Sequence, residues 1–217
     1  MNRGPLIFLG AFAILALSWT ALVLANQVGF GLVTPHYDPI ESASFPAQMP
    51  GIAKRGSLVY RDLGCAACHT QQVRREDAGG DIERGWGARA SVVRDYIYEP
   101  VVQIGESRFG PDLRNVGARQ TDESRLYHYL YAPNQVVDGS SMPAYRFLFE
   151  TRKVVGERSD EALNLPVNPG YEIVPTERAR SLVAYLMYLN DTYSYPEVNF
   201  VPSEEDHSAE TAEEGGH

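Results

Sequence analysis

The N-terminal part of the chain contains a long run without any charged side chain. Residues 5–25 read PLIFLGAFAILALSWTALVLA, and Arg3 is the only charged residue before Asp38. In a helix these about 21 residues extend roughly 31 Å, which matches the ~30 Å hydrocarbon core of a bilayer. The alternative is a cleaved signal peptide ending at Ala25, but such apolar regions are usually only about 7–15 residues long. The pattern therefore predicts a retained anchor in a lipid bilayer, and Arg3 places the rest of the chain on the outer side.

Composition divides the chain into four regions. After the predicted anchor (residues 1–26), residues 27–50 contain four prolines and few charges, which predicts an extended leader. Residues 51–195 form the predicted folded domain. Residues 196–217 form a predicted acidic, disordered tail, because six carboxylates and no Lys or Arg follow Ser203. The net charge of −9, carried largely by this tail, excludes nucleic acid as the main partner, since phosphate binding requires an excess of Lys and Arg.

Length and cysteine content limit the class of protein. The 217 residues provide one ordinary domain with attachments, which excludes a multidomain enzyme. Cys65 and Cys68 are the only cysteines. Two cysteines exclude a disulfide-dense scaffold and any four-cysteine zinc or iron–sulfur site made by this chain alone.

Apolar periodicity predicts a mainly α-helical domain with three clear helices. The first contains Gly56, Leu58, Val59, Tyr60 and Leu63 and leads into Cys65. In the second, Thr121 is the expected cap and Ala132-Pro133 the end; its apolar positions are Leu126, Tyr127 and Leu130. In the third, Thr176 is the expected cap; the apolar positions are Leu182, Tyr185, Leu186 and Leu189. The best strand candidate is the short segment 171–174.

Residues 64–69 read GCAACH, which contains the C-x-x-C-H pattern of covalent c-type haem attachment. Two thiols three positions apart on a helical turn each add to one haem vinyl group, and the next residue, His69, then ligates the iron from one side. A thioredoxin-like site requires a strand before Cys65, and no strand signal is present there. A zinc site requires further ligands in the domain, and His128 is the only histidine between His69 and the acidic tail. The motif therefore predicts one covalently attached haem c on Cys65, Cys68 and His69.

A haem that transfers electrons needs a sixth iron ligand, and a methionine thioether raises its reduction potential. Met49 precedes the predicted domain, and Met187 belongs to the apolar pattern of the last helix. Met142 lies in the loop sequence SSMPAY and is the predicted ligand. His128 is the alternative, which would give a bis-histidine haem of lower potential.

Gly110-Pro111-Asp112-Leu113 is predicted to support the proximal ligand. A ligating histidine normally donates its second ring N–H to a fixed acceptor. The carbonyl of Pro111 suits this role because proline stiffens the loop that carries it, although a simple turn is the alternative. Five arginines and one tryptophan are candidates to screen the haem propionates, with surface solvation as the default for each: Arg74, Arg75, Arg89, Arg108, Arg119 and Trp86.

Together these motifs resemble the class I cytochrome c domain. The resemblance implies that the first and last helices of the domain cross where Gly56 and Tyr60 meet Tyr185. It implies a fold that is mainly α, with a single N-terminal transmembrane helix followed by a mono-haem cytochrome c domain over residues 51–195.

More narrowly, residues 1–150 resemble the mono-haem, membrane-anchored subunit II (FixO/CcoO-like) of cbb3-type cytochrome c oxidases. The resemblance rests on the anchor, on GCAACHTQQVR, on GESRFGPDLRNVGAR and on APNQVVDGSSMPAYRFL. It implies that electrons pass from another cytochrome c subunit or a soluble cytochrome, through this haem, to a polytopic haem–copper catalytic subunit that reduces oxygen to water. The membrane is then the bacterial inner membrane, with the haem domain on the periplasmic side. The chain is part of an oxidase enzyme, but with both axial positions filled it has no catalytic residue of its own.

Two departures from this family leave points open. The family usually has Ser where this chain has Glu106, in a region that approaches a calcium ion at the interface with the catalytic subunit, so calcium binding is open. Residues 150–175 form a longer connection than a small soluble cytochrome needs, and they are predicted to be a surface excursion that contacts another subunit. Two other functions are weighed: the cytochrome c subunit of a nitric oxide reductase, and a free membrane-tethered electron carrier or haem-based sensor.

Overall fold

The computed structural model describes residues 3–196 and 198, which belong to two units. The first unit comprises residues up to 46 together with 92–98, and the second comprises residues 47–91 together with those from 99 onward. Apart from Pro196 and Val198, the predicted acidic tail lies outside the described residues.

The first unit begins with one long apolar helix. Segment α1 (Gly4–Trp19) continues through a π-helical turn (Thr20–Leu24) into α2 (Ala25–Gly31). The whole helix has 28 residues and is long and apolar enough to cross a membrane, which fits a single-pass anchor. It ends at Gly31 rather than near residue 26, because Asn26 stays in the helix and its side-chain amide donates to the Leu22 carbonyl at 2.7 Å.

The predicted leader is not simply extended. Strands β1 (His36–Asp38) and β2 (Ala43–Phe45) pair as a short antiparallel hairpin. The Asp38 carboxylate accepts from the backbone N–H of Ile40 at 2.7 Å, which forms the turn. Strands of three residues are too short to produce a visible alternation, and for this reason the sequence pattern missed them. The same unit contains a 3₁₀ turn (Val93–Tyr96), where the Arg94 guanidinium donates to the Thr34 carbonyl.

The second unit is mainly helical and contains one further hairpin. Its core is formed by buried side chains from the first and last helices, the middle helix and the hairpin. The elements, in chain order, are α3 (Gly51–Asp62), α4 (Val116–Arg119), α5 (Glu123–Tyr131), α6 (Pro133–Val136), β3 (Phe149–Lys153), β4 (Tyr171–Pro175) and α7 (Glu177–Tyr188), with 3₁₀ turns at Cys65–Ala67, Glu76–Ala78 and Arg146–Leu148.

Helices α3 and α7 cross in close contact at a glycine. A Cβ atom on Gly56 would lie 1.8 Å from the Ser181 carbonyl oxygen and 2.6 Å from Cβ of Tyr185, so only glycine fits. One turn further along α3, Tyr60 packs edge-on against Tyr185 with the ring centroids 5.6 Å apart. The predicted helix crossing is therefore confirmed.

The caps of the other two predicted helices give one confirmation and one correction. The Thr176 hydroxyl accepts from the backbone N–H of Ala179 at 3.4 Å and caps α7 as predicted. Helix α5 is capped by Asp122 rather than Thr121, because the Asp122 carboxylate accepts from the N–H of Ser124 at 2.9 Å. An aspartate one position later is an equally good cap, and sequence alone does not separate the two.

Residues 150–175 fold back on their own domain. Strand β4 contains the predicted segment 171–174, but its antiparallel partner β3 was missed, because four of its five residues are exposed and no apolar alternation is visible. Within the connection, the buried Glu172 carboxylate accepts from Arg152 at 2.7 Å and from the N–H of Ser159 at 2.8 Å. The expected contact of this segment with another subunit stays a prediction.

Candidate functional site

The C-x-x-C-H motif begins where helix α3 is forced to end. Gly64 has a φ of 71°, a left-handed conformation that glycine adopts without strain and that turns the chain out of the helix. Cys65–Ala67 then form a 3₁₀ turn, and the N–H of His69 donates to the Cys65 carbonyl at 3.0 Å. Both cysteines are free thiols, with Cys65 half-buried and Cys68 exposed.

The imidazole of His69 is held by the loop that contains Pro111. Its Nδ1 lies 2.9 Å from the Pro111 carbonyl oxygen, which can only accept, so Nδ1 carries the proton and Nε2 is the ring nitrogen with a lone pair. A Cβ atom on Gly110 would lie 2.2 Å from Cε1 of the same ring. Burial lowers the pKa of His69, while the Pro111 hydrogen bond and the charge of Asp112 oppose that change. The ring is therefore kept neutral, in the form that ligates a metal.

A second segment, residues 104–113, runs beside the motif and is joined to residues 66–71 by several hydrogen bonds. The N–H groups of Glu106 and Gly110 donate to the carbonyls of Ala66 and Cys68, both at 2.9 Å. The Ser107 hydroxyl donates to the Ala67 carbonyl. On the other side of His69, two further backbone bonds of 2.8 Å join the segments, from Gln71 to Ile104 and from Leu113 to Thr70. The motif is thus held by a loop some forty residues away in sequence.

Met142 lies in a loop that packs on the same core as the motif. Its side chain is half-buried, and it packs against the core cluster as do Cys65 and Ala66. Three residues later, the N–H of Tyr145 donates to the Leu130 carbonyl at 2.8 Å, which attaches the loop to α5. The Tyr145 hydroxyl is near enough to the Cys65 sulphur to interact with it electrostatically.

Burial also keeps the first thiol protonated. The pKa of Cys65 is raised to about 11, chiefly because the side chain is removed from water; the backbone of its own turn and then the Tyr145 hydroxyl offset this only in part. Burial likewise raises the pKa of the Tyr145 hydroxyl, and the neighbouring sulphur atoms add to that rise. Both groups are therefore neutral at physiological pH in the free chain.

The three other candidates for the sixth iron ligand have different surroundings. His128 is half-buried on α5, and its Nδ1 donates to the Ser124 carbonyl of its own helix at 2.7 Å. Met49 is fully buried in the core and Met187 is half-buried on α7, where its carbonyl closely approaches Gly117. His128 and Met187 lie on helices, and Met49, in the segment before α3, is fully buried in the core, whereas Met142 is a half-buried side chain in a loop.

The arginines considered for the propionates are largely engaged within the protein. Arg108 pairs with the buried Asp81 and donates to the Gln72 carbonyl at 2.7 Å; Arg74 also pairs with Asp81, at 3.4 Å. Arg108 further stacks on Trp86, with 5.3 Å to the ring centroid. Of the others, Arg89 donates to Tyr193, Arg119 donates to Asp112, and Arg75 pairs with Asp77 at the surface.

Calcium binding near Glu106 stays a prediction. The backbone of Glu106 is committed to the motif, as described above. Across residues 3–196 and 198, no group of three or more His, Cys, Asp or Glu side chains is arranged to hold a metal ion.

Sequence reasoning missed two buried charged groups near the motif. Asp112 was visible in GPDL but was given no role; its carboxylate is fully buried and bonds to Thr70 and Gln72. Arg114 is also fully buried, paired with Glu99 and with Asp191. A charged residue in a hydrophilic stretch ordinarily indicates solvent exposure, so no local signal identified either as buried.

The donor set of this site fits a haem. Two free thiols stand next to an imidazole whose remaining nitrogen is free to ligate, Gly110 gives the ring its space, and a thioether packs on the same core. A helical domain with these groups defines a c-type cytochrome.

A comparison with protein families identifies which cytochrome it is. The family model of the cytochrome c oxidase mono-haem subunit, FixO, matches residues 32–189. Because this match covers most of the 217 residues, the chain belongs to the FixO family. It is therefore a haem-containing, electron-transferring subunit of a cytochrome c oxidase complex and works together with the catalytic subunit of that complex. A comparison with curated proteins finds no significant match. The family favours the oxidase over the nitric oxide reductase and the free carrier.

Proposed function

We propose that this subunit carries one haem c, bound through thioether bonds to Cys65 and Cys68 and ligated by His69 and Met142. The observation that carries the proposal is the 2.9 Å contact between Nδ1 of His69 and the Pro111 carbonyl, which leaves Nε2 as the ligating nitrogen beside two free thiols. The bound haem supplies reversible one-electron transfer.

The chain's own residues then bind the haem, orient its ligands and shield it. Pro111 fixes the tautomer and the angle of the His69 ring, and residues 104–113 keep the motif from opening. The loop that contains Met142 is attached to α5 through Tyr145, and Met142 would supply the thioether ligand. If His69 and Met142 both ligate the iron, no position is left for oxygen, so the chain would make and break no bond of the substrate and oxygen would be reduced to water on the catalytic subunit.

The proposed electron path runs from a second cytochrome c subunit or a soluble cytochrome to the polytopic haem–copper subunit. The membrane is the bacterial inner membrane, crossed once by the helix Gly4–Gly31, with the haem domain on the periplasmic side. Calcium near Glu106, at the interface with the catalytic subunit, is part of the same proposal. It is tested by measuring the calcium content of the purified complex before and after treatment with a chelator.

The ligand assignment is tested by spectroscopy and potentiometry on the purified full chain. A pyridine haemochrome spectrum should show thioether-linked haem, and Met142→His should abolish the ferric charge-transfer band of sulphur ligation and lower the midpoint potential. His128→Ala and Met187→Leu are matched controls that should change neither. An unchanged potential in Met142→His, with a change in His128→Ala, would assign the sixth ligand to His128 instead.

The functional assignment is tested on the assembled complex. Mild detergent extraction should recover the chain together with a large haem–copper subunit, and that complex should consume oxygen. Recovery of a fully haem-loaded monomer would favour a tethered carrier, and turnover of nitric oxide without oxygen consumption would favour a reductase. Protease added to spheroplasts should cleave the haem domain if that domain is periplasmic.

A further inference from the structure

Asp112 is a fully buried carboxylate surrounded by hydrogen-bond donors. Its Oδ2 accepts from the Thr70 hydroxyl at 2.6 Å and from the backbone N–H of Gln72 at 2.8 Å. Its Oδ1 accepts from the N–H of Arg114 at 2.8 Å. All three partners of the Asp112 carboxylate are donors. An ionised carboxylate only accepts hydrogen bonds and can satisfy all three, so the arrangement fits the anion.

The position of this anion in the chain connects it to the proximal ligand on both sides. Thr70 directly follows His69, and Asp112 directly follows Pro111, whose carbonyl receives the imidazole proton. The Asp112 carboxylate therefore joins the two segments that determine where the ring lies. Its charge also reaches the ring itself, where it favours the positively charged form of His69.

Nearby cations only partly offset this charge. Arg108 lies 3.8 Å from the Asp112 carboxylate, beyond hydrogen-bond distance, and its guanidinium is directed to Asp81 and to the Gln72 carbonyl. Arg119 donates to the backbone carbonyl of Asp112 rather than to its side chain. Removing the carboxylate would leave these cations in place, so the local potential could only become more positive.

We infer that Asp112 is a positioning residue that lowers the reduction potential of the haem by fixing the His69–Pro111 contact and by placing a buried negative charge beside the proximal imidazole. A buried anion stabilises the ferric form, which carries one more positive charge than the ferrous form. A firmly held Nδ1–H···O bond strengthens the imidazole as a donor and acts in the same direction. The inference rests on the proposed ligation of the iron by His69.

The test compares variants of the full haem-loaded chain by midpoint potential, haem content and the hyperfine-shifted NMR signals of the His69 ring. Asp112→Asn preserves size but removes the charge. We expect its reduction equilibrium to shift about tenfold toward the ferrous form, which corresponds to about 59 mV for one electron, with displaced His69 ring signals. Thr70→Val removes one hydrogen bond but keeps the charge, and should shift the equilibrium in the same direction by about threefold.

Two further variants test whether the change in midpoint potential is specific to the charge of Asp112 or is a general effect of removing a buried carboxylate. Asp112→Glu restores the charge and should return the potential most of the way to wild type. Asp81→Asn is a matched control, since Asp81 is equally buried and paired with arginines but bonds to Arg74 and Arg108 rather than to the residues that flank His69. It should shift the potential by less than half as much as Asp112→Asn.

An unchanged potential in Asp112→Asn at full haem content overturns the inference, and so does an equal shift in Asp81→Asn. If Asp112→Asn fails to retain haem, Thr70→Val decides the question. An unchanged midpoint potential and unchanged His69 ring signals in Thr70→Val would mean that Asp112 serves only the folding of the domain, which overturns the inference. Failure of the ligand assignment looks different: His69→Ala would then leave the low-spin spectrum intact in otherwise wild-type protein.

Discussion

The ring nitrogen Nδ1 of His69 lies 2.9 Å from the carbonyl oxygen of Pro111, 42 residues further along the chain. This contact brings the loop GPDL against the C-x-x-C-H motif and leaves little room around the ring. The residue before the proline, Gly110, has its Cα so close to the imidazole that a single added methyl would overlap it.

We therefore expect Gly110→Ala to displace the His69 ring. The new Cβ would lie 2.2 Å from Cε1 and 2.6 Å from Nδ1, well inside van der Waals contact, so either the ring or the loop must shift. The expected result is a loss of the low-spin spectrum or a marked fall in haem content per chain, measured by pyridine haemochrome. Gly51→Ala is the control, because a Cβ there meets nothing within 4 Å. Normal haem content in Gly110→Ala would contradict the placement of the ring.

Gly56→Ala should weaken the crossing of α3 and α7. A Cβ at this position would lie 1.8 Å from a backbone oxygen of α7, which a rotamer change cannot relieve. Overpacking of this kind costs about 1–3 kcal/mol and sometimes more, so the denaturation midpoint should fall clearly. Gly51→Ala again serves as the control within the same helix and should be close to neutral. A Gly56→Ala protein as stable as wild type would show that the two helices do not cross at this point.

Arg114→Met should be among the most destabilising single substitutions in the domain. Arg114 is fully buried between Glu99 and Asp191, and its loss would leave two carboxylates buried without their cation. Removing one partner of a buried ion pair typically costs about 3–5 kcal/mol in the free energy of unfolding.

The matched control for Arg114 is an exposed ion pair. Arg178 lies 3.7 Å from Asp62, and both side chains are more than half exposed. Arg178→Ala should cost less than about 1 kcal/mol, as surface pairs usually do. Equal losses for the two variants in urea or guanidinium titrations would indicate that the Arg114 cluster is not buried.

Asp81 predicts a dependence of stability on pH. Burial alone would raise the pKa of its carboxyl, but hydrogen bonds from Arg108 and from the backbone and side chain of Arg74 outweigh it and hold the pKa below its ordinary value. A lowered pKa contributes stability that is fully present above the unfolded pKa of about 3.9 and is lost as the pH falls through the lower folded value. The stability gap between wild type and Asp81→Asn should thus be constant near neutral pH and shrink below about pH 4. A gap that widens toward acid would contradict this sign.

The sequence predicted the elements whose signals are local. The helix before the motif, the cap of α7 by Thr176 and the strand near Tyr171 each depend on a few consecutive residues. Errors occurred where two neighbours compete or where a strand is short or exposed: Asp122 replaced Thr121 as a cap, and strands β1, β2 and β3 were missed. An exposed strand such as β3 is stabilised by its partner, which periodicity within one segment does not detect.

Within the candidate site, too, the sequence identified the residues that have a local signal and missed those that do not. Cys65, Cys68 and His69 are adjacent in sequence, and Met142 and Pro111 were selected because their loop sequences are distinctive. Their roles toward the haem stay predictions. Asp112 and Arg114 were missed because the free energy of a buried charge depends on partners that come from distant parts of the chain.

The amino-acid sequence by itself determined that this protein has one uncharged membrane-length helix and one haem attachment motif, since both are properties of contiguous residues. Only the tertiary structure decided which nitrogen of His69 is free, that Gly56 allows α3 to touch α7, and that Asp112 and Arg114 are buried. The reason is physical. These contacts join residues up to 129 positions apart, so they exist only after the chain has folded and brought donors and acceptors from different segments out of water.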